Sequence, residues 1–315
     1  MYYIGIDLGG TNIAAGLVDD KGKLLHKLSV HTPSDVDYTV IVEEMVKLSR
    51  KVVSEYGANE ADIKSVGIGC PGSIDYKKGS VAYSNNIKMY DAPVREEFQK
   101  YWNIPVALEN DANAAALGEY VACGEAASVF VAVTLGTGVG GGVIIDGKIF
   151  TGSNGAGAEL GHSTLVHNGL PCTCGKKGCW ECYASATALV NQTKIAIEKH
   201  PESLMTKIAK ERGKVNGRTA FDAAKQNDSV AKYVVEKYLE YVADGIVSMV
   251  NIFQPDKVVI SGGISNEGDY ILKPIREYVE KYDYNKLFNK VEICTATLLN
   301  DAGIIGAAYA GKQLI

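Results

Sequence analysis

Residues 2–19 read YYIGIDLGGTNIAAGLVD and residues 128–145 read SVFVAVTLGTGVGGGVII. Each is an apolar, β-branched run, then a turn of glycines and a threonine, then a second apolar run, the pattern of strand, tight turn, strand. Outward from the first pair, a third run at 24–31 follows an Asp20-Lys21-Gly22 turn, so the strands at 2–7, 13–19 and 24–31 form a meander. Outward from the second, strands at 128–135, 140–146 and 148–152 repeat the arrangement, with Asp146-Gly147 as the hairpin turn. Helical spacing at Val42, Val46 and Val53 predicts a helix over 36–56 after the first meander. A strand at 64–69, a helix near 94–102, a strand at 105–109 and a helix over 112–122 complete this half. After the second meander come a long insertion and a helix from Ser229 to Phe253 that turns Val234, Val242, Ile246 and Met249 to one side. Strands at 256–261 and 290–295 and a last helix from Asp301 to about Gly311 follow. The same order occurring twice predicts two related α/β lobes with a cleft between them.

The chain has 315 residues, 46% of them hydrophobic and 22% charged, with 34 Gly and 8 Pro. These are ordinary globular proportions, with a sizeable core and no low-complexity tail. A formal charge of −5 without a basic block argues against a nucleic-acid partner. The first residues lack the basic start and apolar core of a signal peptide, which sets a cytoplasmic expectation. The uncharged stretch from Ala126 to Ile145 is broken by glycines and hydroxyl residues, unlike the roughly 20 mainly apolar residues of a membrane span.

The turn Asp7-Leu8-Gly9-Gly10-Thr11 and its counterpart Leu135 to Gly142 let backbone N–H groups approach a ligand, an arrangement suited to phosphate oxygens. Either alone could be a plain hairpin; their equivalent placement argues for a function. A dinucleotide fingerprint requires a helix after its glycines, whereas 143–147 reads as strand and turn. A Walker A loop is nearly spelled by Gly142 to Lys148, but Ile149 stands where Ser or Thr is required. Glu109-Asn110-Asp111 lies where a strand ends and a helix begins, a place for a general base and equally for an ordinary helix cap.

Of seven cysteines, Cys172, Cys174 and Cys179 crowd a glycine-rich knuckle, with His162 ten residues upstream. Cys3His is a closed tetrahedral zinc set. Cys70, Cys123 and Cys294 lie in apolar settings and read as buried fillers, while His26, His31, His167 and His200 have surface or packing roles.

Taken together, these features resemble the ROK family of sugar kinases, repressors and open reading frames, and within it the bacterial glucokinases. The resemblance spans essentially the whole chain. It rests on the Asp7 to Thr11 turn, Gly67-Ile68-Gly69-Cys70-Pro71-Gly72 with Asp75, Glu109-Asn110-Asp111, and Leu135 to Gly142. It rests further on Gly155 to His162, the cysteine knuckle with Glu181, and Ser261-Gly262-Gly263. The fold it implies is the two-lobed actin-like and hexokinase-like ATPase fold, with duplicated βββαβαβα lobes of the ribonuclease H type and a zinc insertion. The smaller lobe would be 1–117 with about 301–315, the larger 118–300, and the knuckle about 162–182.

The resemblance also implies roles. Asp111 is the catalytic base facing the sugar 6-hydroxyl; Asn110, Glu159, His162 and Glu181 are hydroxyl ligands, joined by Asn86. Asp7 lies near Mg2+; Gly9, Gly10, Thr11, Gly136, Thr137, Gly138, Gly262 and Gly263 hold ATP. His162, Cys172, Cys174 and Cys179 bind a structural zinc, with the second ring nitrogen of His162 left for the sugar. The implied activity is ATP-dependent phosphorylation of a hexose, glucose first. Other hexoses, polyphosphate as donor, or a non-catalytic sugar sensor or repressor are the alternatives. The family's repressors add an N-terminal helix-turn-helix, for which a first strand at Tyr2 leaves no room. Asn85-Asn86-Ile87-Lys88-Met89-Tyr90 departs from the family's usual Asn-Leu followed by Trp, which bears on the sugar pocket's aromatic wall. The family habit is a homo-oligomer.

Overall fold

A computed structural model describes residues 1–84 and 87–315. In chain order it contains β1 (Tyr2–Leu8), β2 (Asn12–Asp19), β3 (Leu24–His31), α1 (Tyr38–Tyr56), β4 (Ile63–Cys70), β5 (Ser73–Asp75), β6 (Ser80–Ser84) and β7 (Met89–Ala92). Next come α2 (Val94–Tyr101), β8 (Val106–Asn110), α3 (Asp111–Ala122), β9 (Val129–Leu135), β10 (Val139–Ile145) and β11 (Lys148–Ile149). The remainder is α4 (Glu181–Ala184), α5 (Ala186–Lys199), α6 (Leu204–Glu211), α7 (Thr219–Lys225), α8 (Ser229–Phe253), β12 (Lys257–Ser261), α9 (Asp269–Tyr282), β13 (Glu292–Thr295) and α10 (Ala302–Lys312).

Two five-stranded sheets, ordered β3-β2-β1-β4-β8 and β11-β10-β9-β12-β13, carry the same topology, and the expected duplication is present at this level. In the first, β1, β4 and β8 run parallel with Asp7, Gly69 and Glu109 in register, so their carboxyl ends share one edge. Ligand sites of open α/β sheets form outside such edges. The chain divides into two compact units. The first comprises Met1–Ser128, Gly142–Ala158 and Thr297–Ile315; the second comprises Val129–Gly141 and Glu159–Ala296.

The first unit's sheet is covered on both faces. Ile4, Ile6 and Leu8 are fully buried in one cluster with Ile41, Val42 and Met45 of α1. Strand alternation turns Gly5 to the opposite face, where an added Cβ would lie 1.8 Å from the Ile304 carbonyl oxygen of α10. The same test at Gly67 of β4 meets the Ala307 carbonyl oxygen at 1.6 Å, and at Gly306 of α10 the Ala114 carbonyl oxygen of α3 at 1.7 Å. Glycine is thus what lets α10 lie flat on β1 and β4 and against α3. In the second unit, Trp180 is completely buried and donates its indole N–H to the Tyr241 carbonyl at 2.8 Å.

Local chemistry accounts for the element ends. The helix expected from Val36 begins at Tyr38 because Asp37 caps it, accepting the Thr39 amide at 3.0 Å, and Gly57 ends it at φ 83°. The strand expected over 148–152 stops at Ile149; Gly152 turns the following segment at φ 70°. Asp146 and Gly147 both take positive φ, as a two-residue hairpin turn requires. The three-stranded sheet β5-β6-β7 was not anticipated; its strands of three to five residues fall below the length at which alternation is legible. Of the three cysteines read as fillers, Cys70 is fully buried, whereas Cys123 and Cys294 are half-buried.

Candidate active site

In the first unit, the turn after β1 is closed by the Gly9 amide donating to the Asn12 carbonyl at 2.9 Å, and Thr32 anchors it by donating its hydroxyl to the Gly9 carbonyl at 2.7 Å. Gly10 and Thr11 remain exposed at its tip. Asp7, one residue before the turn, is raised to about 6 by burial and then by the neighbouring Asp111 carboxylate.

Asp111 opens α3. The sequence left its role open between base and cap, and the geometry separates the two: Asn110 is the cap, its side-chain oxygen accepting the Ala112 and Asn113 amides at 2.9 and 3.2 Å. The Asn110 amide nitrogen donates to the Gly72 carbonyl at 3.1 Å. Asp111 accepts the Ala112 amide at 2.9 Å, and burial pushes its carboxyl above the ordinary range against this bond and those with its own amide and the Asn110 side chain. A partly desolvated carboxylate at a strand edge, with a raised proton affinity, is suited to general-base work.

The second unit holds the other glycine turn. The Gly136 carbonyl accepts the Ala186 amide at 2.8 Å, the Thr137 carbonyl accepts the Thr187 hydroxyl at 2.7 Å, and the Val139 amide donates to Glu181 Oε2 at 3.1 Å. A Cβ on Gly138 would stand 2.0 Å from that oxygen, so the turn and the carboxylate are in direct contact. Gly262, at φ 89°, lies flush against Leu135, where an added Cβ would come within 2.4 Å of the carbonyl oxygen. Gly136–Gly138 and Gly262–Gly263 are therefore brought to one place. Glu159 is exposed and precedes the short turn Leu160–His162, whose Gly161 packs flush on Val139.

His162, Cys172, Cys174 and Cys179 present four ligand atoms within 4.8 Å of one another. His162 Nδ1 lies 3.6 Å from Cys172 Sγ, and Cys174 Sγ lies 3.6 Å from Cys179 Sγ. Bonds of about 2.3 Å to sulfur place tetrahedral ligands roughly 3.5–3.8 Å apart, so the set fits a bound cation. The thiols point the same way. Burial works against ionising Cys172, yet the Cys174 amide, the neighbouring thiols and His162 bring it down to about 6. Burial and those same thiols push Cys179 up to about 12. A cation is what would allow all three to be thiolates together. Glu181 joins this cluster to the turn, since its Oε1 lies 3.9 Å from Cys172 Sγ.

The structure thus gathers Asp7, Gly9, Gly10, Thr11, Asn110 and Asp111 in the first unit. In the second it gathers Gly136, Thr137, Gly138, Glu159, His162, Glu181, Gly262 and Gly263 with the cysteines. Asn86 lies outside the described residues. Sequence reasoning missed Tyr76 and Asn113, which both donate to Glu109; no spacing joins them, since Tyr76 is 33 positions away. It also missed Glu119, buried in α3, which accepts the Thr297 and Leu298 amides at 2.9 and 2.8 Å. A carboxylate on an otherwise apolar helix face was the available sign.

The ROK family profile matches residues 3–313. The chain belongs to the ROK family. Among its ROK relatives is a glucokinase of Thermotoga maritima, 38% identical over 314 residues that cover 99% of this chain and 98% of that one. Its fold is that of a ROK family glucokinase from Streptomyces griseus solved in complex with glucose and AMPPNP, with a TM-score of 0.79, 34% identity and coverage of 99% and 100%. A ROK hexokinase from Thermus thermophilus gives a TM-score of 0.84 at 31% identity, covering 100% and 99%. The two-lobed hexokinase-like class expected from the sequence is the class of these neighbours.

Proposed function

We propose that this ROK protein is a glucokinase, transferring the γ-phosphoryl group of ATP to the 6-hydroxyl of glucose. The observation that carries the reading is the division of labour at the start of α3, where Asn110 caps the helix and leaves the Asp111 carboxylate to accept a proton. In the step, the sugar O6–phosphorus bond forms and the bond from phosphorus to the β,γ-bridging oxygen breaks. Asp111 takes the hydroxyl proton and ADP leaves. Such transfer depends on positioning and charge neutralisation. Gly10, Thr11, Thr137 and Gly138 supply backbone donors for phosphate oxygens, while Gly9 and Gly136, whose amides close the turns onto the Asn12 and Gly138 carbonyls, keep the backbone open to them; Gly262 and Gly263 allow close approach of the nucleoside. Asp7 would hold the Mg2+ that accompanies the nucleotide, and that ion would supply charge neutralisation. Asn86, Asn110, Glu159, His162 and Glu181 are assigned to the sugar hydroxyls.

Zinc is the ion the Cys3His set would hold, with His162, Cys172, Cys174 and Cys179 as ligands. It would have a structural role, shaping the sugar side through His162 and Glu181. We place the enzyme in the cytoplasm; no described helix is long and apolar enough to cross a membrane. The deciding test is ADP release with Mg-ATP against glucose, mannose, fructose, allose, N-acetylmannosamine and N-acetylglucosamine. A clear glucose preference is expected. Preference for another sugar overturns the substrate but keeps the mechanism, and silence across the panel overturns both.

A further inference from the structure

We infer that Glu109 is the positioning residue for Asp111, and that Tyr76 holds Glu109 in that role. The inference rests on the reading of Asp111 as base. Glu109 Oε1 accepts three hydrogen bonds, from the Tyr76 hydroxyl at 2.5 Å, the Asn110 amide at 2.8 Å and the Asn113 side-chain amide at 3.1 Å. The Asn110 side chain in turn accepts the Asn113 backbone amide at 3.2 Å. Glu109, Asn110 and Asn113 therefore close a ring of hydrogen bonds around the first turn of α3, and Asp111 and Ala112 are the residues it encloses. Moving either asparagine moves the Asp111 backbone.

The arrangement exceeds what the fold requires. Asn110 alone caps α3, and a helix start needs no buried carboxylate behind its cap. Glu109 is 5% exposed on a strand whose other core positions are Val106, Ala107 and Leu108. Burial raises its proton affinity and only the three donors offset this. An apolar residue there would avoid the desolvation altogether. Tyr76 is fixed as well: Gly155 lies against its ring, where a Cβ would come within 2.9 Å of Cε2. The hydroxyl is thus aimed at Glu109 from a second, independent segment.

Glu109 touches no reacting atom in this reading; its effect is on geometry. Misplacing a reacting group by about 1 Å costs on the order of a hundredfold. Glu109→Ala should therefore lower kcat about 30- to 100-fold, and Tyr76→Phe about 3- to 10-fold, with KM for ATP unchanged. Glu109→Gln keeps an oxygen acceptor for the three donors and should restore kcat to within about threefold of the parent enzyme. A purely structural role would instead lower stability and affinity together and would not be rescued selectively in kcat. Equal kcat in the parent, Glu109→Ala and Tyr76→Phe enzymes would overturn the proposal, as would a loss confined to KM. If Glu109→Ala fails to fold, Tyr76→Phe decides, since it removes one hydroxyl and keeps the ring. Asp111→Asn is run alongside. If it is inactive while the Glu109 and Tyr76 variants are normal, the positioning role alone fails; if it turns over normally, the base assignment fails and this inference with it.

Discussion

Asp7 near the end of β1 and Asp111 just after β8 lie at one edge of one sheet, and the Asp111 charge makes Asp7 harder to ionise. Asp7 is raised from 3.8 to about 6, first by burial and then by the Asp111 charge. A carboxyl whose folded-state pKa is raised favours the fold while protonated, so its contribution is full below 3.8 and is lost as pH rises through about 6. At neutral pH ionised Asp7 costs about 3 kcal/mol, chiefly through its burial. Asp7→Asn should accordingly raise the melting temperature at pH 7.5, with the gain shrinking between pH 6 and 4; an unchanged or lower Tm at pH 7.5 refutes this account. Asp111 must be ionised to act, and burial raises it as well, so the acid limb of kcat/KM should lie above the ordinary 3.8. Asp111→Asn should lower kcat at least about a hundredfold and abolish that limb; near-normal turnover contradicts the assignment. The sequence placed both residues correctly at strand ends but could not tell cap from base, because Asn110 and Asp111 are equally good caps. Only the hydrogen bond from the Asn113 amide to Asn110 separates them, since the Ala112 amide donates to both.

At the scale of elements, the Gly136–Val139 turn depends on α4 and α5, and the contact between Gly138 and Glu181 leaves no room for a methyl group. Gly138→Ala should displace Glu181 from the Val139 amide, raising KM for ATP about tenfold or more at a stability cost of about 1–3 kcal/mol. Unchanged nucleotide affinity would show the turn to be indifferent to Glu181. The knuckle carries the other side of that carboxylate. Chelating the zinc proposed for the knuckle, or Cys174→Ser, should lower Tm and weaken glucose binding in parallel, because His162 and Glu181 lean on the same cluster. Full glucose affinity in metal-free protein would separate the two. Both glycine turns and the cysteine knuckle were legible because their spacing is local. The sheet β5-β6-β7, which contributes Tyr76 through the turn after β5, was not, since its strands are too short to show a period.

For the molecule as a whole, the chain passes between the two compact units at 128/129, 141/142, 158/159 and 296/297, so neither unit is one continuous segment. Duplication was readable from the repeated order of runs and turns, and the identical sheet orders bear it out. The dependence of the first unit on the chain's far end was less visible, since it is written as isolated glycines. Deleting residues 302–315 should uncover Gly5 and Gly67 and abolish activity together with the cooperative melting of the first unit. A truncated protein that melts and turns over like the parent would show α10 to be dispensable. The same glycines set a timetable for synthesis. Gly5 meets Ile304 about 300 residues later, and at about 5–20 residues per second the sheet waits on the order of 15 to 60 s for its second cover. Until then the glycine-lined face of the first unit is a surface for chaperones to shield.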